Sequence, residues 1–210
     1  MTLKNVHVCK NPLIQDSLSH LRNKKTTLQE FRQHSDRICF LLFAEAINGL
    51  TCKKEIIDTP LCETKVAELK EKIVVVPVLR SGIAMLFGAM DLLPTVKVGF
   101  VGLERDECTA IAREYYWKLP KIDHETVIIV TDPMLATGGS ILHLLRRMAK
   151  ENPKEMRVAS VIAAPEGIEA IHQEFPKVKI FTAHVDQKLN AQKYIVPGLG
   201  DYGDRYFNTV

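Results

Sequence analysis

Six consecutive residues, Ile73-Val74-Val75-Val76-Pro77-Val78, carry no polar side chain and are mostly β-branched. A strand with one face in solvent alternates apolar and polar residues, so an unbroken run requires burial on both faces. Such a strand belongs inside a parallel sheet covered on both sides by helices, which confines the chain to the α/β class. Similar runs recur at Val96 to Leu103, Val127 to Val130, Arg157 to Ala163 and Val178 to Phe181. Helical stretches separate several of them: Ser81 to Leu92, Gly139 to Lys150 and Glu166 to Phe175, the second with Ile141, Leu144, Leu145 and Met148 on one face. This alternation builds βαβ units and a mostly parallel central sheet flanked by helices.

The N-terminal region is helical instead. Leu13, Ser17, Leu18 and Leu21 make a weak apolar face. From Thr27, Phe31, Ile38, Leu41, Leu42, Ala46 and Ile47 mark a long amphipathic helix, stopped by Asn48-Gly49. Glu55-Ile56-Ile57 reads as a short edge strand. The polar and aromatic stretch Glu104 to Glu125 fits neither a helix nor a buried strand and is expected as an arm over the sheet. From Tyr194 onward the chain is rich in Gly and Asp and has no helical period. No repeat, low-complexity tract or linker interrupts it, so residues 1–210 are read as one domain with a small appendage.

A net charge of +3 gives no reason to expect nucleic acid or membrane as a partner, though it leaves room for a basic pocket. The apolar stretch Ile38 to Ile47 is interrupted by Glu45 and is too short to span a bilayer. Five cysteines, scattered and never spaced C-x-x-C, point to a reducing, cytoplasmic setting with the thiols as small buried hydrophobes. No secretory leader is visible at the N-terminus.

Gly198-Leu199-Gly200-Asp201-Tyr202-Gly203 matches the letters of a dinucleotide loop. That loop needs a preceding strand, a following helix and an acid about twenty residues on, and neither the helix nor the acid is expected so close to Val210. There is no Walker loop, no zincin pair after His124-Glu125 and no G-x-S-x-G elbow.

One constellation survives. Ile129-Val130-Thr131 is the end of a buried strand, Ile141 opens a helix, and Asp132-Pro133-Met134-Leu135-Ala136-Thr137-Gly138-Gly139-Ser140 joins them. Glycine amides, two hydroxyls and a helix N-terminus can converge on a phosphate. Asp132, at the carboxyl end of a central strand, can accept hydrogen bonds from a ribose diol. Together they read as a cradle for a phosphorylated ribose.

This loop resembles the ribose-5-phosphate loop of the type I phosphoribosyltransferases, in the form found in the uracil branch of that family. Pro133 stands where most of the superfamily has a second acid, a departure that fits the uracil enzymes and counts against the purine ones. Val76-Pro77-Val78-Leu79-Arg80-Ser81-Gly82 resembles the family's pyrophosphate loop, and Arg105 in Gly102-Leu103-Glu104-Arg105-Asp106 matches its other phosphate-binding arginine. The tail, Tyr194 to Phe207, is similar to the uracil-recognition segment; Tyr115-Tyr116-Trp117-Lys118-Leu119-Pro120 resembles the arm beside the active site. The likeness extends over nearly the whole chain.

The resemblance implies that uracil and 5-phosphoribosyl 1-diphosphate (PRPP) are converted to UMP and pyrophosphate in pyrimidine salvage. It implies PRPP binding by Arg80, Arg105, the nine residues Asp132 to Ser140, and Asp201. Within that loop the residues are Asp132, Pro133, Met134, Leu135, Ala136, Thr137, Gly138, Gly139 and Ser140. Uracil is expected on Ile195, Gly200, Asp201 and Tyr202, with Arg105, Asp132 and Asp201 in catalytic roles. Mg²⁺ is expected to arrive on PRPP, held by no direct protein ligand and reaching Asp201 through water. A GTP effector and a homodimer or homotetramer are further implications. Asn208 stands where the family usually has Gly, and Asn tolerates the left-handed backbone such a position asks for.

Overall fold

The computed structural model describes residues 4–105 and 112–209. The chain begins with β1 (Val6–Val8), α1 (Pro12–Arg22) and α2 (Leu28–Ala46), then a hairpin of β2 (Cys52–Asp58) and β3 (Glu63–Leu69). The first half of the sheet follows as β4 (Lys72–Leu79), α3 (Ile83–Leu92), β5 (Lys97–Val98), β6 (Phe100–Arg105) and β7 (Ala112–Lys118). The second half is β8 (Thr126–Thr131), β9 (Met134–Leu135), α4 (Gly139–Met148), β10 (Glu155–Ala163), α5 (Pro165–Glu174) and β11 (Lys179–Val185). The tail adds β12 (Lys188–Leu189), β13 (Ile195–Val196) and α6 (Tyr202–Phe207).

The central sheet runs β1-β11-β10-β8-β4-β6-β7, with β5 beside β4 and β9 beside β10. Every pairing in it is parallel except β6 with β7. All six residues of β8 and Ile73–Val78 of β4 are buried, the double-sided burial that their sequences demand. Val75, Val127 and Ile129 face one core layer with α1, α2 and α3; Val74, Val76, Ile128 and Val130 face the other with α4 and α5. Ile141, Leu144, Leu145 and Met148 of α4 are all buried there. The α2 helix opens with a reciprocal cap in which Thr27 and Glu30 satisfy each other's backbone amides.

Several sequence expectations need correction. Glu55-Ile56-Ile57 belongs to a hairpin paired only with β3, not to an edge of the main sheet. Its sequence misleads because nearly every hairpin side chain is exposed, including Cys52 and Cys62, which were expected to be buried. Cys9 and Cys39 are buried as expected, and Cys108 lies outside the described residues. The run Val96 to Leu103 is broken at Gly99, whose amide keeps pairing with Val75 O at 2.9 Å while the strand divides into β5 and β6. The expected arm contains strand β7, an edge strand with Tyr115 and Tyr116 exposed. In α1 the inward residues are Ile14, Ser17, Leu18 and Leu21, while Leu13 points outward. The tail does contain a helix, α6, although six residues are too few to establish a period.

Candidate active site

From β4 the chain passes through α3 to β6 on one side, then returns to β8 on the other. The order of strands therefore reverses between β4 and β8, and a crevice opens beyond their carboxyl ends, where open α/β sheets hold ligands. A cleft of about 860 Å³ lies there. Its lining includes Arg80 from the end of β4, Asp132, Met134, Ala136 and Ser140 from the loop after β8, and Ile195, Gly200, Asp201 and Tyr202 from the tail. Three segments far apart in sequence thus meet at one place.

Asp132 directly follows β8, and its amide bonds Ala159 O at 3.2 Å, which continues the ladder with β10. Its Oδ1 accepts from Ser81 Oγ at 3.4 Å and from the Met134 amide at 3.3 Å. Burial pushes the carboxyl up to about 6; the Met134 and Ser81 hydrogen bonds oppose this, and the nearby Asp201 charge adds to it. Ser81 can stand so close because the turn after β4 packs directly on β8. A Cβ at Gly82 would sit 2.5 Å from Thr131 O and 2.6 Å from Val78 N and O, so only glycine fits.

The rest of the loop divides into supporting and cleft-facing parts. Pro133 is buried beneath it, its carbonyl accepting from the amides of Val161 and Ile162 at 3.1 Å. Leu135 is a core residue in β9, paired with Ala163. Thr137, Gly138 and Gly139 line a small recess of about 40 Å³ that shares Asp132, Met134, Ala136 and Ser140 with the cleft. Gly138 takes φ +79, a left-handed conformation that starts α4 without a side-chain cap. The first residues of α4, Gly139 to Ile141, line the recess, and the Gly139 amide donates to Thr137 Oγ1 at 3.4 Å. A helix end of this kind suits an anion.

Arg80 is exposed at the opposite lip, with Nη2 3.7 Å from Asp204 Oδ1. The backbone of Arg105 closes β6, while its side chain and residues 106–111 lie outside the described part of the chain.

In the tail, Asp201 caps α6: its Oδ1 accepts from the Asp204 amide at 2.9 Å. Tyr202 is buried, its hydroxyl hydrogen-bonded to Ser35 Oγ at 2.5 Å, so only its backbone is offered to the cleft. Asn208 ends α6 at φ 60, the left-handed conformation anticipated for it. The strand before the Gly198–Gly203 loop, β13, pairs only with β12 and stands apart from the central sheet. A dinucleotide loop follows a central strand, so that reading fails on topology even though a short helix is present.

Sequence reasoning missed what holds this loop. Asp186, fully buried at its side chain, accepts from Arg22 Nη1 at 3.0 Å and from the Gly198 amide at 2.9 Å. Arg22 Nη1 also reaches Gly198 O at 2.8 Å, and Arg205 Nη1 bonds Leu199 O at 2.6 Å. Two guanidinium groups and one carboxylate therefore fix residues 198–199, immediately before Gly200 and Asp201. Arg22 and Asp186 are 164 positions apart, and no local pattern could have paired them.

A family model described as uracil phosphoribosyltransferase matches residues 8–209. The chain is 41% identical over 208 residues to the uracil phosphoribosyltransferase of Campylobacter fetus subsp. fetus, covering 99% of this chain and 100% of that one. It is 44% identical over 205 residues to that of Shouchella clausii, covering 97% and 98%. Among solved structures, the AQ2163 protein from Aquifex aeolicus superposes with a TM-score of 0.91 at 36% identity, over 96% of this chain and 97% of that chain. A hypoxanthine phosphoribosyltransferase from Staphylococcus aureus shares the fold alone, with a TM-score of 0.50 at 11% identity over 75% and 76% of the two chains.

Proposed function

This chain belongs to the uracil phosphoribosyltransferase family, and on that footing we propose that its cleft joins uracil to PRPP, giving UMP and pyrophosphate. The C1–O bond to the diphosphate breaks, a C1–N1 bond to uracil forms, and the N1 proton is lost. The observation that carries this reading is the meeting of Asp132, the uncapped start of α4 and the Gly200–Asp201 backbone at the β4–β8 switch point.

In this reading residues 1–210 act as one domain. The amides and hydroxyls of Thr137 to Ser140 hold the 5-phosphate, and Asp132 accepts from the ribose diol. The main chain of Ile195, Gly200 and Tyr202 pairs with the alternating carbonyl and N–H groups of the uracil edge. Positive charge grows on the ribose as the C1–O bond lengthens, and the Asp132 and Asp201 carboxylates lie on the side that favours it. Pro133 and Leu135 shape the loop from below, and Met134 lines the cleft beside Asp132. The oxygen-only acceptors Asp132 and Asp201 fit a hard cation such as Mg²⁺, which would neutralise charge on the diphosphate while keeping most of its water. The Mg²⁺, carried by PRPP, would meet Asp201 through water.

A cytoplasmic, homo-oligomeric enzyme with a GTP effector completes the reading. In support of the assembly, Phe40 of α2 and Phe87 and Met90 of α3 are large apolar side chains left exposed. No described helix is long and apolar enough to cross a membrane.

Pyrophosphate release that requires uracil and PRPP together tests the proposal; release without uracil, or none from folded protein, would overturn it. Arg105→Ala is expected to lower kcat/KM at least tenfold, because one preorganised charged donor is worth about 3 kcal/mol in a transition state. Unchanged turnover would remove Arg105 from the site. Asp201→Asn is expected to impair turnover at unaltered thermal stability, since Asn caps a helix as well as Asp does. Wild-type activity with normal Mg²⁺ dependence would contradict that role.

A further inference from the structure

Away from the cleft, the surface between α1 and α2 gathers three side chains of metal-ligand type. Asp16 and His20 are one turn apart on α1 and so share a face, with His20 Nε2 3.9 Å from Asp16 Oδ1. His34 reaches across from α2, its ring stacked on His20 with centroids 3.9 Å apart and planes within 8°. Ligand atoms of all three lie within 4.8 Å of one another.

Two of the three side chains are also held from outside the cluster. Ser17 Oγ lies 3.4 Å from His34 Nδ1, and Arg37 Nη1 lies 3.5 Å from Asp16 Oδ2, the carboxylate oxygen turned away from His20. Partners of this kind orient ligands at protein metal centres and fix which atom faces the ion. None of the three residues lines the cleft.

We propose that Asp16, His20 and His34 bind one divalent transition-metal ion of the zinc class through two imidazole nitrogens and one carboxylate oxygen. Bond lengths near 2 Å place tetrahedral ligands about 3.4 Å apart, and imidazole nitrogens bind in the plane of the ring, so closing on an ion requires the His20 and His34 rings to rotate out of their stack. Two imidazoles favour zinc, nickel or copper over magnesium, which prefers oxygen donors. Three protein ligands leave a fourth position to water. An ion there pins α1 to α2 and stabilises the folded chain according to its occupancy.

Titration of the full-length, tag-free protein with Zn²⁺ alone tests this, using calorimetry and thermal unfolding without PRPP. The exposed thiols Cys52 and Cys62 are competing soft ligands, so the titration uses a Cys52→Ser, Cys62→Ser background. The expected result is one saturable equivalent per chain and a raised Tm. Affinity should fall at least tenfold in His34→Gln and vanish in the His20→Ala, His34→Ala pair, with helical circular dichroism and UMP synthesis unchanged. Excess Mg²⁺ should not displace the zinc. Absence of a saturable equivalent, or binding that survives the double replacement, would overturn the site.

Discussion

Asp132→Asn should lower kcat/KM for PRPP about a hundredfold and at the same time stabilise the fold near pH 7. The activity loss follows if, as proposed, this charge accepts from the ribose diol and favours the developing positive carbon. The gain in stability follows from the raised carboxyl pKa. In the unfolded chain this group ionises near the ordinary aspartate value of 3.8, while burial in the folded chain pushes it up to about 6. Between those values the folded state binds the extra proton, so stability declines as pH rises through the window and the deficit is complete above 6. Ionising the buried carboxyl therefore costs the fold at most about 3 kcal/mol. One edge of the residue faces the open cleft, and about 1–2 kcal/mol is expected after solvent screening. Urea unfolding at pH 7 and at pH 4 separates the two states, and the variant's advantage should shrink toward pH 4. The wild-type kcat/KM profile should also fall as pH drops through about 6. A variant with normal kcat/KM would contradict the role given to Asp132.

Asp186→Ala should raise KM for uracil at least tenfold and cost about 3 kcal/mol of stability, because it leaves Arg22 without its carboxylate and the Gly198 amide without its acceptor. Asp186 touches no substrate in this account; it positions the loop that does. Replacing both members, Arg22→Met with Asp186→Leu, should restore much of the stability, since an apolar pair can substitute for a buried ion pair. It should not restore uracil affinity, because the Gly198 contacts stay lost. Recovery of both together would reduce the pair to a purely structural role, and unchanged uracil KM in Asp186→Ala would exclude the clamp.

These two residues mark what the sequence reveals and what it hides. Asp132 is visible because strand β8 is buried on both faces, which makes its run continuous, and because the loop after it holds Gly138, Gly139 and a helix start in one short segment. The same double burial exposes β4 and hence the position of Arg80. Local chemistry and fold agree at these points. Strand β3 is hidden because Glu63–Leu69 is a solvated hairpin arm with only Val66 half-buried, so no apolar period forms. Strand β7 is hidden by its edge position, and α6 by being shorter than two turns. Asp186 is hidden for a different reason: it is an ordinary acid after β11 until the tail folds back on it and Arg22 arrives from α1. The tail's glycines spell a dinucleotide loop that its sequence context already argues against, and the pairing of β13 away from the central sheet adds a topological reason.

The central claim is that one cleft at the β4–β8 switch point takes PRPP on its Asp132 side and a pyrimidine on its Gly200 side. Turnover of labelled uracil with PRPP, run beside hypoxanthine, guanine and orotate, tests it most directly. Formation of UMP from uracil, with the other three bases at least about a hundredfold slower because a site matched to one hydrogen-bonding edge leaves its own groups unpaired with another, is the expected result. No UMP from the folded protein, or faster use of a purine, would contradict it.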